Sequence, residues 1–194
     1  MDFKTHFETA WALTLRYIAP LILMTLVQAL VSGITLGVLA PVTMAGYMHS
    51  ILLMVREGRE PRIQDIFSHM RLFLPLFLLG LVFFIVTIIG FALFVLPGFL
   101  ILLAIAFGCL YVLPLMTDKG LGVVEAIRES VRMSTGKNTL DQIVIMIVYV
   151  GLCSVGGSVF IGWLFTQPFA TAFLLSVYEE KIKSPARVES SPKA

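Results

Sequence analysis

Residues 72–117 read LFLPLFLLGLVFFIVTIIGFALFVLPGFLILLAIAFGCLYVLPLMT, 46 consecutive positions without a Lys, Arg, Asp or Glu. The hydrocarbon core of a bilayer is about 30 Å thick, and one helix crosses it with about 20 residues. The stretch is too long for one crossing and suits two, and Pro97-Gly98 marks a turn near its middle. Proline fits the first turn of a helix, where its missing N–H is not needed. The stretch therefore reads as a helical hairpin inside a membrane.

Two further stretches have the same character: Tyr17–Val55, of 39 residues, and Gln142–Tyr178, of 37. Gly33, Gly37 and Pro41 divide the first, and Gly151, Gly156, Gly157 and Gly162 divide the third. Three hairpins give an all-α bundle of six transmembrane helices, with spans at about 17–35, 39–56, 73–95, 98–117, 140–158 and 161–179. The sequence thus predicts a single transmembrane domain over 1–180 and a flexible cytoplasmic tail over 181–194. Pro20 and Pro75 sit just inside spans one and three, while Pro114 and Pro168 are expected to kink spans four and six.

Composition points the same way. Hydrophobic residues make up 58% of the chain and charged residues 13%, against about 25% charged in a soluble domain. The 14 basic and 12 acidic residues all fall in four short segments, 1–16, 56–71, 118–141 and 179–194. If each silent stretch is a hairpin, all four segments lie on one side. Lys and Arg mark that side as cytoplasmic. The expected location is the bacterial inner membrane, multi-pass, with both termini inside. An N-terminal signal peptide is the competing reading, but the apolar run from Tyr17 far exceeds an h-region of about 7–15 residues. Cys109 and Cys153 fall in predicted spans and read as apolar fillers.

The charged segments carry their own periodicity. Phe3, Phe7, Ala10 and Trp11 share one helical face, as do Ile63, Ile66, Phe67 and Met70, and again Leu121, Val124, Ile127 and Val131. Three short amphipathic helices at the headgroup level are expected. Arg16, Arg71, Arg128, Arg132 and Lys137 are the candidate contacts to lipid headgroups. Each cation near an anionic surface is worth about 1 kcal/mol, less where acids are interleaved. Arg16-Tyr-Ile-Ala-Pro20 and Arg71-Leu-Phe-Leu-Pro75 match in spacing, and Lys137-Asn-Thr-Leu-Asp141 keeps the cation. This suggests one unit, an interfacial helix plus a hairpin, used three times.

No Asp, Glu, Lys or Arg is available at mid-membrane, which argues against an ion-coupled pump or a voltage sensor. Gln28, His49, Gln167 and Thr171 are the candidate lining of a polar cavity. Interhelical hydrogen bonding, worth about 0.6 kcal/mol each, is their ordinary role. His6, His49 and His69 lack metal-ligand spacing. Gly120-Leu-Gly122 is no nucleotide fingerprint, and no nucleophile–base set or H-E-x-x-H is present. Neither catalytic residues, cofactor, metal nor nucleic acid are expected.

Two longer motifs carry a family resemblance. Residues 46–67, GYMHSILLMVREGREPRIQDIF, place a glycine in a span before a basic, glycine-bearing loop and an acidic-apolar-Phe motif. Residues 113–130, LPLMTDKGLGVVEAIRES, place a proline-bearing span before Asp, Gly and a Glu-Ala-x-x-x-Ser helix. In both, the chain resembles YciC-like bacterial integral membrane proteins and the membrane domain attached to some glycerophosphodiester phosphodiesterases. The resemblance implies a six-span cytoplasmic-membrane protein. It carries no phosphodiesterase activity over, because no such catalytic sequence occurs in these residues.

Three functional expectations follow. The first is a non-enzymatic membrane protein that organises membrane lipids, other membrane proteins or further copies of itself. The second is a facilitator or channel for a small or amphipathic solute, which needs Gln28, His49, Gln167 and Thr171 on one cavity. The third is a lipid-modifying enzyme, which needs Asp118, Asp141 and a histidine together.

Overall fold

A computed structural model describes residues 3–135, 139–157 and 160–189. Among these residues all regular structure is helical. The α-helices are α1 (Phe3–Arg16), α2 (Ile18–Ile34), α3 (Ala40–Glu57), α4 (Phe73–Leu93), α5 (Val95–Gly108), α6 (Val112–Asp118), α7 (Val123–Ser134), α8 (Thr139–Gly157) and α9 (Phe160–Glu189). Two short 3-10 turns, Ile63–Phe67 and Met70–Leu72, form a strap between α3 and α4. Two helical runs among the described residues, Ile63–Leu93 and Val95–Asp118, are long and apolar enough to cross a membrane. A third joins them if α1 and α2, bent by 86° at Tyr17, form one broken span.

Local sequence sets the turns. Between α2 and α3, Leu36 and Gly37 take positive φ, 50° and 82°, and Pro41 lies in the first turn of α3. Glycine accepts this left-handed backbone without a Cβ penalty. Between α4 and α5 the break is one extended residue, Phe94, and Pro97 lies in the first turn of α5. The two helices can close so tightly because Gly90 and Gly98 face each other. A Cβ on Gly98 would stand 2.5 Å from the Phe91 ring, and one on Gly90 3.1 Å from Gly98 Cα.

The fourth apolar segment breaks at residues 109–111, and Pro114 then falls in the first turn of α6. A break leaves backbone groups unpaired, and buried ones must find partners. Two serines of α7 supply them. Ser130 Oγ donates to the Gly108 carbonyl at 2.6 Å and accepts from the Tyr111 N–H at 3.2 Å. Ser134 Oγ donates to the Phe107 carbonyl at 3.0 Å. Residues 130 and 134 are one helical turn apart, so both hydroxyls face the same break. Pro168 leaves α9 as one continuous element.

The core sits where α3, α6 and α9 meet. Tyr47, Ile51 and Met54 on α3, Tyr111 and Leu115 at α6, and Phe173 and Tyr178 on α9 are fully or almost fully buried. Two expectations need correcting. The second charged segment is a 3-10 strap, not an amphipathic α-helix, because it folds down onto α3 at Gly46. A Cβ there would collide with the carbonyl oxygens of Ile66 and Asp65. The chain beyond residue 181 is also not a loose tail as far as Glu189, since α9 continues through it. Lys181 binds the Met133 carbonyl and Gln142, and Ile182 packs against the core, so the first residues of the expected tail are docked.

Candidate functional site

The charged end of the molecule is organised by Arg56. It is the first charge after the silent stretch that ends α3, as Asp118 is for α6 and Glu179 for the third stretch. These three residues meet. Arg56 Nη1 and Nη2 donate to the two Asp118 oxygens at 2.6 and 2.9 Å, and Nε donates to Glu179 Oε1 at 2.6 Å. The planar guanidinium suits a carboxylate on each edge. Tyr178 donates to Asp118 at 3.3 Å, and Lys183 lies 3.2 Å from Glu179. The Glu179 and Asp118 side chains are 8% and 12% exposed.

Two more contacts join the beginning and end of a silent stretch, in the first and in the third. Tyr17 donates its hydroxyl to the Gly58 carbonyl at 2.6 Å, closing the first. Lys181 donates to Gln142 Oε1, closing the third. The Lys181 ammonium also caps α7 through the Met133 carbonyl at 3.1 Å and lies 4.9 Å from the Tyr111 ring centre. Burial pushes this amine down to about 8, with the charge of Asp141 pulling the other way.

Two further clusters complete this end. His6 on α1 lies 2.7 Å from Ser176 Oγ and pairs with the Glu180 carboxylate, fixing α1 to α9. Phe7 and Trp11 stack edge-on against Phe169 in the same contact. On the strap, Asp65 accepts from Ser50 Oγ at 2.7 Å and pairs with Arg59, while the Arg62 N–H reaches Ser50 Oγ at 3.3 Å.

The candidate cavity residues divide. Gln28 Nε2 donates to Met44 Sδ at 3.1 Å, and Gln167 Nε2 reaches the same sulfur at 3.9 Å. Thr171 donates to the Gln167 carbonyl at 2.8 Å, one turn further along α9. Gln28 and Gln167 thus meet at Met44 between α2, α3 and α9, while Thr171 is buried one turn away on α9. His49 is elsewhere, its ring 4.5 Å from that of His69. Of the headgroup candidates, Arg16, Arg71, Arg128 and Arg132 are exposed, and Lys137 lies outside the described residues. Arg16 stands over the Tyr17 ring and Arg132 pairs with Glu129 at 3.7 Å.

A separate apolar groove of about 370 Å³ lies between α3, the α4–α5 hairpin, α6 and α8. Neither Gln28, His49, Gln167 nor Thr171 lines it, although Met44 stands between the glutamines and the groove. Arg56 takes up the Asp118 carboxylate, and Asp141 lies in the field of Lys181. Among the described residues no group of three or more His, Cys, Asp or Glu is arranged to hold a metal ion. Sequence reasoning passed over Arg56, Glu179 and Ser130. Their shared signal was position: the first charge after a silent stretch, and the serine that ends the Glu-Ala-x-x-x-Ser motif. No protein-family model, curated protein or solved structure matches this chain.

Proposed function

We propose that this chain is a six-span integral protein of the cytoplasmic membrane. In this reading it is three helical hairpins with both termini inside, and it organises lipids or partner proteins without catalysing a reaction. The observation that carries the proposal is the Arg56–Asp118–Glu179 cluster. Three charges that each end a silent stretch can meet only if all three stretches end on one face. The contacts Tyr17–Gly58 and Lys181–Gln142 support the companion point for the first and third stretches, that they also begin there. A segment that leaves and returns to one face is a hairpin. The cations of that face favour the cytoplasm.

The non-enzymatic part rests on how the titratable groups are used. Arg56, Asp118, Glu179, Asp65 and His6 are each held by partners on another element or on the strap, and those contacts fix the fold. The likeness to YciC-like membrane proteins belongs to the same proposal. A facilitator remains the second reading, favoured by the meeting of Gln28 and Gln167 at Met44.

Accessibility labelling tests the topology. With Cys109 and Cys153 replaced by alanine, Glu60→Cys and Lys119→Cys should react only when the inner face is opened. Leu36→Cys and Leu96→Cys should react with an impermeant reagent on intact cells. Glu60 and Lys119 labelling from opposite sides would overturn the hairpins, and labelling of both from outside would overturn the orientation.

A further inference from the structure

We infer that the groove between the α4–α5 hairpin and the rest of the bundle holds one acyl chain of a membrane phospholipid. This rests on the membrane reading above and adds a site and a ligand class to it. The groove exists because the hairpin docks incompletely. Gly80 on α4 and Ala106 on α5 present almost no side chain to it, and a Cβ on Gly80 would meet only Pro41 Cγ, at 3.8 Å.

Its chemistry selects an apolar occupant. The walls are formed by residues such as Met44, Met48, Leu79, Phe83 and Leu113, with no Lys, Arg, Asp or Glu among them. Water needs two to four polar partners to be held in such a space. The only side-chain O–H or S–H groups among the lining residues are those of Tyr149 and Cys109, too few to hold a chain of waters. An apolar void left unfilled destabilises the protein in proportion to its volume. A lipid tail removes that cost without placing a polar group in the groove.

Shape and access select a chain rather than a side chain. Pro41, Met44 and Met48 recur at helical spacing on α3, as do Leu76, Gly80 and Phe83 on α4. The groove therefore runs along the helix axes for about 10 Å, seven residues at 1.5 Å each. That is the direction in which acyl chains lie beside spanning helices. Its rim is continuous with the apolar outer surface. Val150 lines the groove and is itself 45% exposed, and Val82, Leu102 and Ile147 beside the lining positions are exposed as well. A tail can enter sideways from the hydrocarbon without passing the ionic end.

The test fills the groove. The full chain is purified in mild detergent, stripped of lipid, and offered phosphatidylethanolamine and phosphatidylglycerol. Wild-type protein should carry one phospholipid by native mass spectrometry, and its Tm should rise when lipid is added. Gly80→Phe should lose both the bound lipid and the lipid-dependent rise, and its lipid-free Tm should not fall. Ala106→Ile serves as an independent filler if the larger ring prevents folding. Ile88→Phe, on the exposed face of α4, should behave as wild type. Unchanged lipid retention in both filled variants would overturn the proposal. So would a dimer that the filled variants split into monomers, since the groove would then take a second copy. Release of the wild type from membranes by alkaline carbonate would instead overturn the membrane reading itself.

Discussion

The α4–α5 hairpin is the more apolar of two regions, yet the α3–α6–α9 junction is the one that is buried. In α3, ten residues are buried, among them Tyr47, Ile51 and Met54. In α4 only Leu76 and Gly90 are buried, and in α5 only Gly98 and Gly108. Phe84, Leu93, Leu96 and Leu100 stand at least 59% exposed. The difference is that α3 carries groups that need specific partners. Gly46 admits the strap, Ser50 holds Asp65, and Arg56 recruits α6 and α9. The α4–α5 hairpin has glycines that fasten its two helices to each other, and little that fastens them to anything else. Hydrophobicity alone gives a helix no reason to prefer a protein neighbour over lipid. Small residues and polar contacts supply that preference.

Breaking the junction should therefore cost far more than altering the hairpin. Arg56→Met leaves Asp118 and Glu179 facing each other without their shared cation. The expected loss is about 3 kcal/mol, the low end for a broken buried pair, because the arginine side chain is itself 32% exposed. Phe84→Leu on the hairpin surface should stay within about 0.5 kcal/mol. Thermal unfolding of both variants in one detergent compares them directly. Equal losses would mean that the ionic cluster does not hold the helices together.

The strap gives a smaller and more local effect. Gly46→Ala forces the Ile66 and Asp65 carbonyls away from α3 and should cost about 1–3 kcal/mol, as overpacking does. Limited proteolysis at Arg59 and Arg62 should accelerate, while cleavage elsewhere keeps its rate. An unchanged pattern would show that the strap is held by the Ser50–Asp65–Arg59 contacts alone.

The mildest effect is a pH dependence at Lys181. Its folded-state amine titrates at about 8, below the ordinary 10.5. Between those values the unfolded chain binds more protons than the folded one, so stability rises with pH through this window. Below pH 8 the full penalty for burying the ammonium applies. Lys181→Met should remove this part of the Tm–pH profile above pH 8. A profile identical to wild type would assign the rise to another group.

Much of this arrangement was legible in the sequence. The turn within Gly33–Pro41, an interruption near Leu96–Gly98 and the amphipathic helices α1 and α7 follow from Gly and Pro placement and from apolar spacing, although the second break falls at Phe94. The strap was not, because Ile63, Ile66, Phe67 and Met70 fit a helix equally well. Their real partner is a glycine 20 residues upstream of Ile66, and periodicity within one segment cannot report it. The break at residues 109–111 was hidden for the same reason. Pro114 hinted at an interruption, but Ser130 and Ser134 are what make it tolerable.

The sequence by itself determined the three silent stretches, their uncharged interiors and the confinement of every charge to four segments. These follow from composition and spacing, which local chemistry fixes. Tertiary structure alone decided that Arg56, Asp118 and Glu179 share one site, that Gln28 and Gln167 meet while His49 turns to His69, and that a groove remains beside α4. Each of these joins residues far apart in the chain. Their proximity depends on how helices pack, and only the folded molecule sets that.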